Sequence, residues 1–153
     1  MIKHLLSWGL ALFLIALFVQ ATIHPLPNPP AGSVKFFDAP GENIVFQTLA
    51  TNSGVTVFEP AGRVLVGLLE LFAALLLLLP QTRRFGAFLS TLILGGAVSL
   101  HLSPWLGHEI PLSLTPGETA TDDGKLFLLA IVMLVASLLL MVVHPGKRRD
   151  RRI

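Results

Sequence analysis

Four apolar stretches, each about as long as the hydrocarbon core of a bilayer is thick, constrain this chain more than any other feature. They cover residues of about 5–22, 62–79, 85–102 and 125–143. The first reads LLSWGLALFLIALFVQAT, and the second carries VLVGLLELFAALLLLL between Arg63 and Pro80. Breakers separate them: Pro80, Ser103-Pro104, the run Asp122-Asp123-Gly124 that would cap the fourth helix, and His144-Pro145-Gly146 that would end it. The expected fold is therefore all-α, an integral membrane four-helix bundle in a single domain over residues 1–153. Composition agrees: 53% of the residues are hydrophobic and 13% charged, against about 25% charged in soluble domains. A soluble core of this size could not hide so much apolar surface, which makes the lipid bilayer the first partner.

Charge placement gives an orientation. Eight of the eleven Lys and Arg are Lys3, Arg83, Arg84, Lys147, Arg148, Arg149, Arg151 and Arg152. Lys and Arg collect in cytoplasmic loops, so both termini and the turn at Gln81 to Arg84 are expected on the cytoplasmic side of an inner membrane. The connections at residues 23–61 and 103–124 hold Asp38, Glu42, Glu59, Glu109, Glu118, Asp122 and Asp123 and are expected outside. Lys3 and the Val19-Gln20-Ala21 site would also suit a cleaved leader, but the first apolar run exceeds the usual length of one, and a retained helix is the preferred reading. The basic tail reads as a topology signal with a secondary affinity for lipid headgroups. Clustering at three short stretches, rather than along one face, argues against a nucleic-acid surface.

The first outer connection opens with four prolines between His24 and Gly32 and is too long to be a mere link. It is expected to be ordered over the bundle. Within residues 38–54, Ile44, Val45, Phe46 and Leu49 suit a short interfacial helix ended by Asn52 or Gly54; a hairpin turning at Asn52-Ser53-Gly54 is the alternative.

Glu70 is the ionisable residue inside an otherwise apolar span. A charge at a helix centre costs about 2.5–3.5 kcal/mol on the insertion scale, while the twelve Leu, Val and Phe between Val64 and Leu79 favour insertion by about 4–7 kcal/mol. The span tolerates Glu70 without benefiting from it, and intramembrane acids mark pathways or ligands more often than plain helix ties. Gly67, Ala73, Ala74 and Arg63 share its side, which implies a close helix partner. The third segment offers Ala87, Thr91, Gly95 and Ser99, small residues four apart, as the matching surface. At 100° per residue His101 falls about 40° from Ala87 and also points inward, while Leu89, Leu92, Ile93 and Leu100 take the lipid side. Glu70 near mid-bilayer and His101 near the outer end could then share a cavity for a ligand or proton, with His24, Arg63, His108 and Glu109 around its outer mouth.

Three histidines and a carboxylate raise the question of zinc, copper or haem, yet their spacing matches no compact metal motif, so metal and haem are disfavoured. Cysteine is absent, which removes thiolate, disulfide and iron–sulfur chemistry. No phosphate-binding glycine loop, nucleophile elbow or His-Glu-x-x-His pair occurs, and no catalytic residue can be named. Trp8 and Trp105 suit opposite interfaces, and Glu59 with Arg63 suits an i,i+4 ion pair.

The stretch Lys35-Phe36-Phe37 ahead of a loop containing Gly-Glu and Asn-Ser-Gly, then Gly67-Leu68-Leu69-Glu70-Leu71, then Gly96-Ala97-Val98-Ser99-Leu100-His101, resembles the DoxX-like family of small bacterial four-helix membrane proteins. The resemblance spans roughly Lys35 to Val143, and the proline-rich stretch at His24 to Gly32 departs from it. It implies a subunit or accessory protein of a quinone-linked redox or oxidative-stress system, with quinone as ligand and a membrane or extracytoplasmic redox partner, rather than a self-contained enzyme. A small transporter with a proton-relaying Glu70 and a membrane scaffold are the rival classes, and oligomeric state is open.

Overall fold

The computed structural model of the protein describes residues 2–23, 39–115 and 117–144. His24, the whole proline-rich stretch, Lys35-Phe36-Phe37 and the basic tail lie outside the described residues. Among the described residues the chain is all-α: α1 (Ile2–Ile23), α2 (Ile44–Ser53), a single 3₁₀ turn (Thr56–Phe58), α3 (Ala61–Leu78), α4 (Arg83–His101) and α5 (Lys125–Val143). The four long helices are each apolar and long enough to cross a membrane. At 1.5 Å per residue they span about 27–33 Å, the depth of a hydrocarbon core. This is a multi-pass membrane protein.

The spans close into a ring in the order α1, α3, α4, α5, each packed on two neighbours. Ala11, Leu14 and Phe18 of α1 meet Ala73, Ala74 and Leu77 of α3, Ala87 and Leu94 of α4, and Met133, Ala136 and Leu140 of α5. The many alanines let the backbones approach closely, which replaces the hydrophobic driving force that lipid cannot supply between helices. Outward, Leu128, Val132, Val135, Leu139 and Val142 of α5 recur at alternating steps of four and three and are exposed. Leu65, Leu68, Phe72 and Leu75 do the same on α3. In water such faces would be an aggregation hazard; in acyl chains they are at rest.

The helix–helix contact differs from the expectation on α4. Its buried line is Arg83, Gly86, Ala87, Ser90, Leu94 and His101, so only Ala87 of the small-residue stripe faces the core. Thr91 turns to α5, where its Oγ1 lies 2.9 Å from Ser137 Oγ. Ser99 is exposed and bonds back to Gly95 O, and a Cβ on Gly95 would meet nothing within 4 Å. The close approach falls at Gly86 instead, where a Cβ would lie 2.8 Å from Leu77 N and 3.0 Å from Leu76 C. The tight turn at residues 79–82 holds α3 and α4 together at their shared end, so their closest backbone approach falls there. Of the four leucine and isoleucine positions expected to face lipid, Leu92 is exposed, whereas Leu89 and Ile93 pack against the core and Leu100 against a second apolar cluster.

That second cluster caps the acidic end. Helix α2 forms in place of a hairpin because Asn43 accepts from Phe46 N at its start and Gly54, at φ 73°, closes its end. Its Val45, Phe46 and Leu49 pack on Leu106 and Ile110 of the other connection. Asn52 Nδ2 donates to Trp105 O at 2.9 Å and ties the two connections together. Asp122 anchors the second one: its carboxylate accepts from Ile110 N, Gly124 N and Leu126 N at 2.8, 3.0 and 2.8 Å. One buried side chain thus pins a loop and satisfies the first turn of α5.

Candidate functional site

Glu70 is buried on the α3 face that also carries Arg63, Gly67, Ala73, Ala74 and Leu77. Its partner comes from α1: Thr22 Oγ1 lies 2.7 Å from Oε2 and 2.8 Å from the carbonyl of Phe18 in its own helix. A hydroxyl carries one proton and can give it to only one of these acceptors. Both contacts are filled together when the carboxyl carries a proton on Oε2 and donates it to Thr22, while Thr22 donates to Phe18. Among the described residues Oε1 has no hydrogen-bond partner, so half of a buried carboxyl remains available. Thr22 is one residue from the end of α1 as described, so Glu70 meets α1 at its last turn rather than at its middle.

His101 is also buried, but in different company. Its Nδ1 lies 2.9 Å from Gly107 O; a carbonyl only accepts, so Nδ1 carries the proton and Nε2 is the free position. Its ring lies 5.3 Å from that of Phe127 on α5, and His108 packs 5.0 Å from the same ring. No hydrogen bond or ion pair joins His101 to Glu70. Arg63 Nε reaches both carboxylate oxygens of Glu59 at 3.0 Å, one helical turn away, and both side chains are buried under the capping cluster. Glu59 Oε1 also accepts from Gly41 N, which ties the turn ahead of α2 to the start of α3. Glu109 sits in the open, accepting from Thr121 Oγ1 at 2.7 Å. The residues expected around one mouth thus form three local groups: Glu59 with Arg63, His101 with His108 on Phe127, and Glu109 with Thr121. His24 lies outside the described residues. Among the described residues no group of three or more His, Asp or Glu is placed to hold a metal ion.

No family model, curated protein or solved structure matches the chain.

Several further polar residues at the site were not singled out by the sequence. Thr22 was legible in principle: Ser7, Ala11, Leu14, Phe18 and Thr22 are the buried line of α1, a run at helical spacing that ends in a hydroxyl opposite the intramembrane acid. Ser7, Arg83 and His144 form a second network at the opposite, basic end. Arg83 Nη1 donates to Ser7 Oγ at 3.2 Å, Ser7 Oγ lies 2.8 Å from His144 Nδ1, and His144 Nε2 lies 3.1 Å from Pro80 O. The carbonyl fixes the direction: Nε2 carries the proton, Nδ1 accepts from Ser7, and Ser7 accepts from Arg83. Burial holds His144 below the ordinary histidine range; the Pro80 bond opposes this, while Arg83, Arg84 and His4 reinforce it. Nothing in the basic turn at Gln81 to Arg84 signals that Arg83 folds inward while Arg84 stays outside.

Proposed function

We propose that this chain is a non-catalytic subunit or accessory protein of a quinone-linked redox or oxidative-stress system in the bacterial inner membrane, holding a small apolar ligand at Glu70. Both termini are taken to be cytoplasmic and the α2 end extracytoplasmic, following the placement of Lys and Arg. The observation that carries the reading is the half-used carboxyl: Glu70 Oε2 is bonded to Thr22, and Oε1 has no hydrogen-bond partner among the described residues, on a helix face whose other buried residues are Arg63, Gly67, Ala73, Ala74 and Leu77. An isolated polar group among apolar side chains suits a ligand with an apolar ring and a carbonyl edge, which is the chemistry of a quinone. The resemblance to DoxX-like proteins supports the same class. His101, with Nε2 unassigned, is kept as a second polar position on a separate helix pair.

The test is purification in mild detergent, with an absorbance spectrum and mass spectrometry of the extracted lipids. Quinone should co-purify with the parent, and Glu70→Leu should reduce it about tenfold, the value of one hydrogen bond to a buried group. A parent free of quinone, or equal quinone in both proteins, contradicts the reading. The Thr22–Glu70 bond between α1 and α3 favours a scaffold role as the second reading. In that case Glu70→Leu lowers stability with no bound molecule lost.

A further inference from the structure

At the basic end of the bundle, α4 begins with an unmet demand for negative charge. Its first turn contains Arg83 and Arg84 and no acid, which sets like charges at the positive end of the helix dipole. Thr82 does not cap it, because its hydroxyl donates to Leu76 O at 2.9 Å instead. Arg83 is 1% exposed. Nε donates to Leu77 O and Nη1 to Ser7, but the buried Nη2 has no acceptor at all. A buried guanidinium nitrogen without an acceptor costs stability until something supplies one. No described acid can: Glu42, Glu59, Glu109, Glu118, Asp122 and Asp123 lie in the connections at the other end, and Glu70 lies within α3.

Beside this cationic cluster the surface is apolar. Leu5, Leu6 and Phe85 are 67%, 51% and 71% exposed, so they flank the cluster with a face suited to acyl chains. Trp8, 39% exposed, stacks its ring 3.8 Å from Arg83 Cζ. We propose that Arg83, Arg84 and the uncapped start of α4 form a binding site for the phosphate of an anionic phospholipid, with Trp8 as the movable cover. The headgroup meets exposed Arg84 first, and displacement of the indole opens Arg83 to a phosphate oxygen. The uncapped N–H groups of α4 add donors of the kind helix starts give to phosphate. The chains of the same lipid lie along Leu5, Leu6 and Phe85, which is why a lipid fits the site better than a free anion.

The full chain carrying Trp105→Phe, so that Trp8 is its single tryptophan, is titrated in detergent with phosphatidylglycerol, phosphatidylcholine or inorganic phosphate. Trp8 fluorescence and native mass spectrometry are read together. Phosphatidylglycerol should shift the Trp8 emission and remain bound, with phosphatidylcholine and inorganic phosphate giving neither effect. Arg84→Gln, an exposed change that leaves the core intact, should weaken phosphatidylglycerol binding about tenfold, the loss of one charge-assisted contact. Lys125→Gln at the other end removes the same charge and should leave binding unchanged. Equal retention of the two lipids, equal weakening by the two variants, or a static Trp8 overturns the proposal. A Trp8 shift produced by inorganic phosphate alone, with phosphatidylglycerol displaced, overturns the assignment to a lipid.

Discussion

Two glycines on one helix should respond in opposite directions to the same substitution. At Gly86 an alanine Cβ would sit 2.8 Å from Leu77 N and 3.0 Å from Leu76 C. These are backbone atoms that cannot rotate aside, so α3 and α4 must separate at their turn. Overpacking of this kind costs about 1–3 kcal/mol, and the better helix propensity of alanine returns about 0.5–1 kcal/mol. Gly86→Ala should therefore lose up to about 2.5 kcal/mol. Gly95 meets nothing within 4 Å, so Gly95→Ala keeps the propensity gain and should be stabilising by up to about 1 kcal/mol. Reversible unfolding in mixed micelles, followed by circular dichroism, compares both with the parent. If Gly95→Ala is destabilised while Gly86→Ala is not, α4 packs on α3 through its small-residue stripe and the close approach does not fall at Gly86.

Asp122→Ala should cost about 2–4 kcal/mol, because it strips three backbone N–H groups of a charged acceptor at the start of α5. Burial alone would raise the Asp122 carboxyl, but the bonds from Ile110, Leu126 and Gly124, aided by the neighbouring His101, bring it below the ordinary 3.8. A carboxyl depressed in the folded state stabilises fully above that ordinary value and loses its contribution as pH falls through the folded one. The parent should thus lose stability below about pH 4, and a pH titration of Asp122→Ala should lack that component. For topology, Ser53→Cys and Thr115→Cys should react with an impermeant maleimide on intact cells, and Gln81→Cys only after permeabilisation. The reverse pattern would invert the proposed orientation.

Periodicity and breakers were enough to read the four spans in the sequence, because insertion into a bilayer depends on local apolarity and hardly on tertiary contacts. The fourth span begins and ends where its composition says, at Lys125 and Val143, since Gly124 and His144-Pro145 punctuate it. Helix α2 was legible from Ile44, Val45, Phe46 and Leu49 with Gly54 at its end, whereas its cap at Asn43 was not read. Rotation of α4 was not legible. Small residues every four positions mark a contact only if the neighbouring backbone is within reach, and the short turn between α3 and α4 places that neighbour at Gly86. The grouping of the polar residues was equally hidden. Glu70 and His101 are both inward on their helices, yet a ring of four helices has several inward directions, and Thr22 and Phe127 occupy two different ones. Arg83 shows the reverse case: two adjacent arginines look alike in sequence, and only the helix phase sends one of them onto Trp8 and Ser7.

The claim on which the functional reading rests is that the open oxygen of Glu70 touches a ligand. Infrared difference spectroscopy of the purified protein, recorded before and after addition of a short-chain quinone, reads that carboxyl directly. A carboxyl C=O band should shift on quinone addition in the parent and not in Glu70→Gln, which is expected to fold normally. Thr22→Val should move the same band before any quinone is added, since it removes the bond to Oε2. A Glu70 band that Thr22→Val moves but quinone does not would contradict the ligand site and leave Glu70 as a tie between α1 and α3.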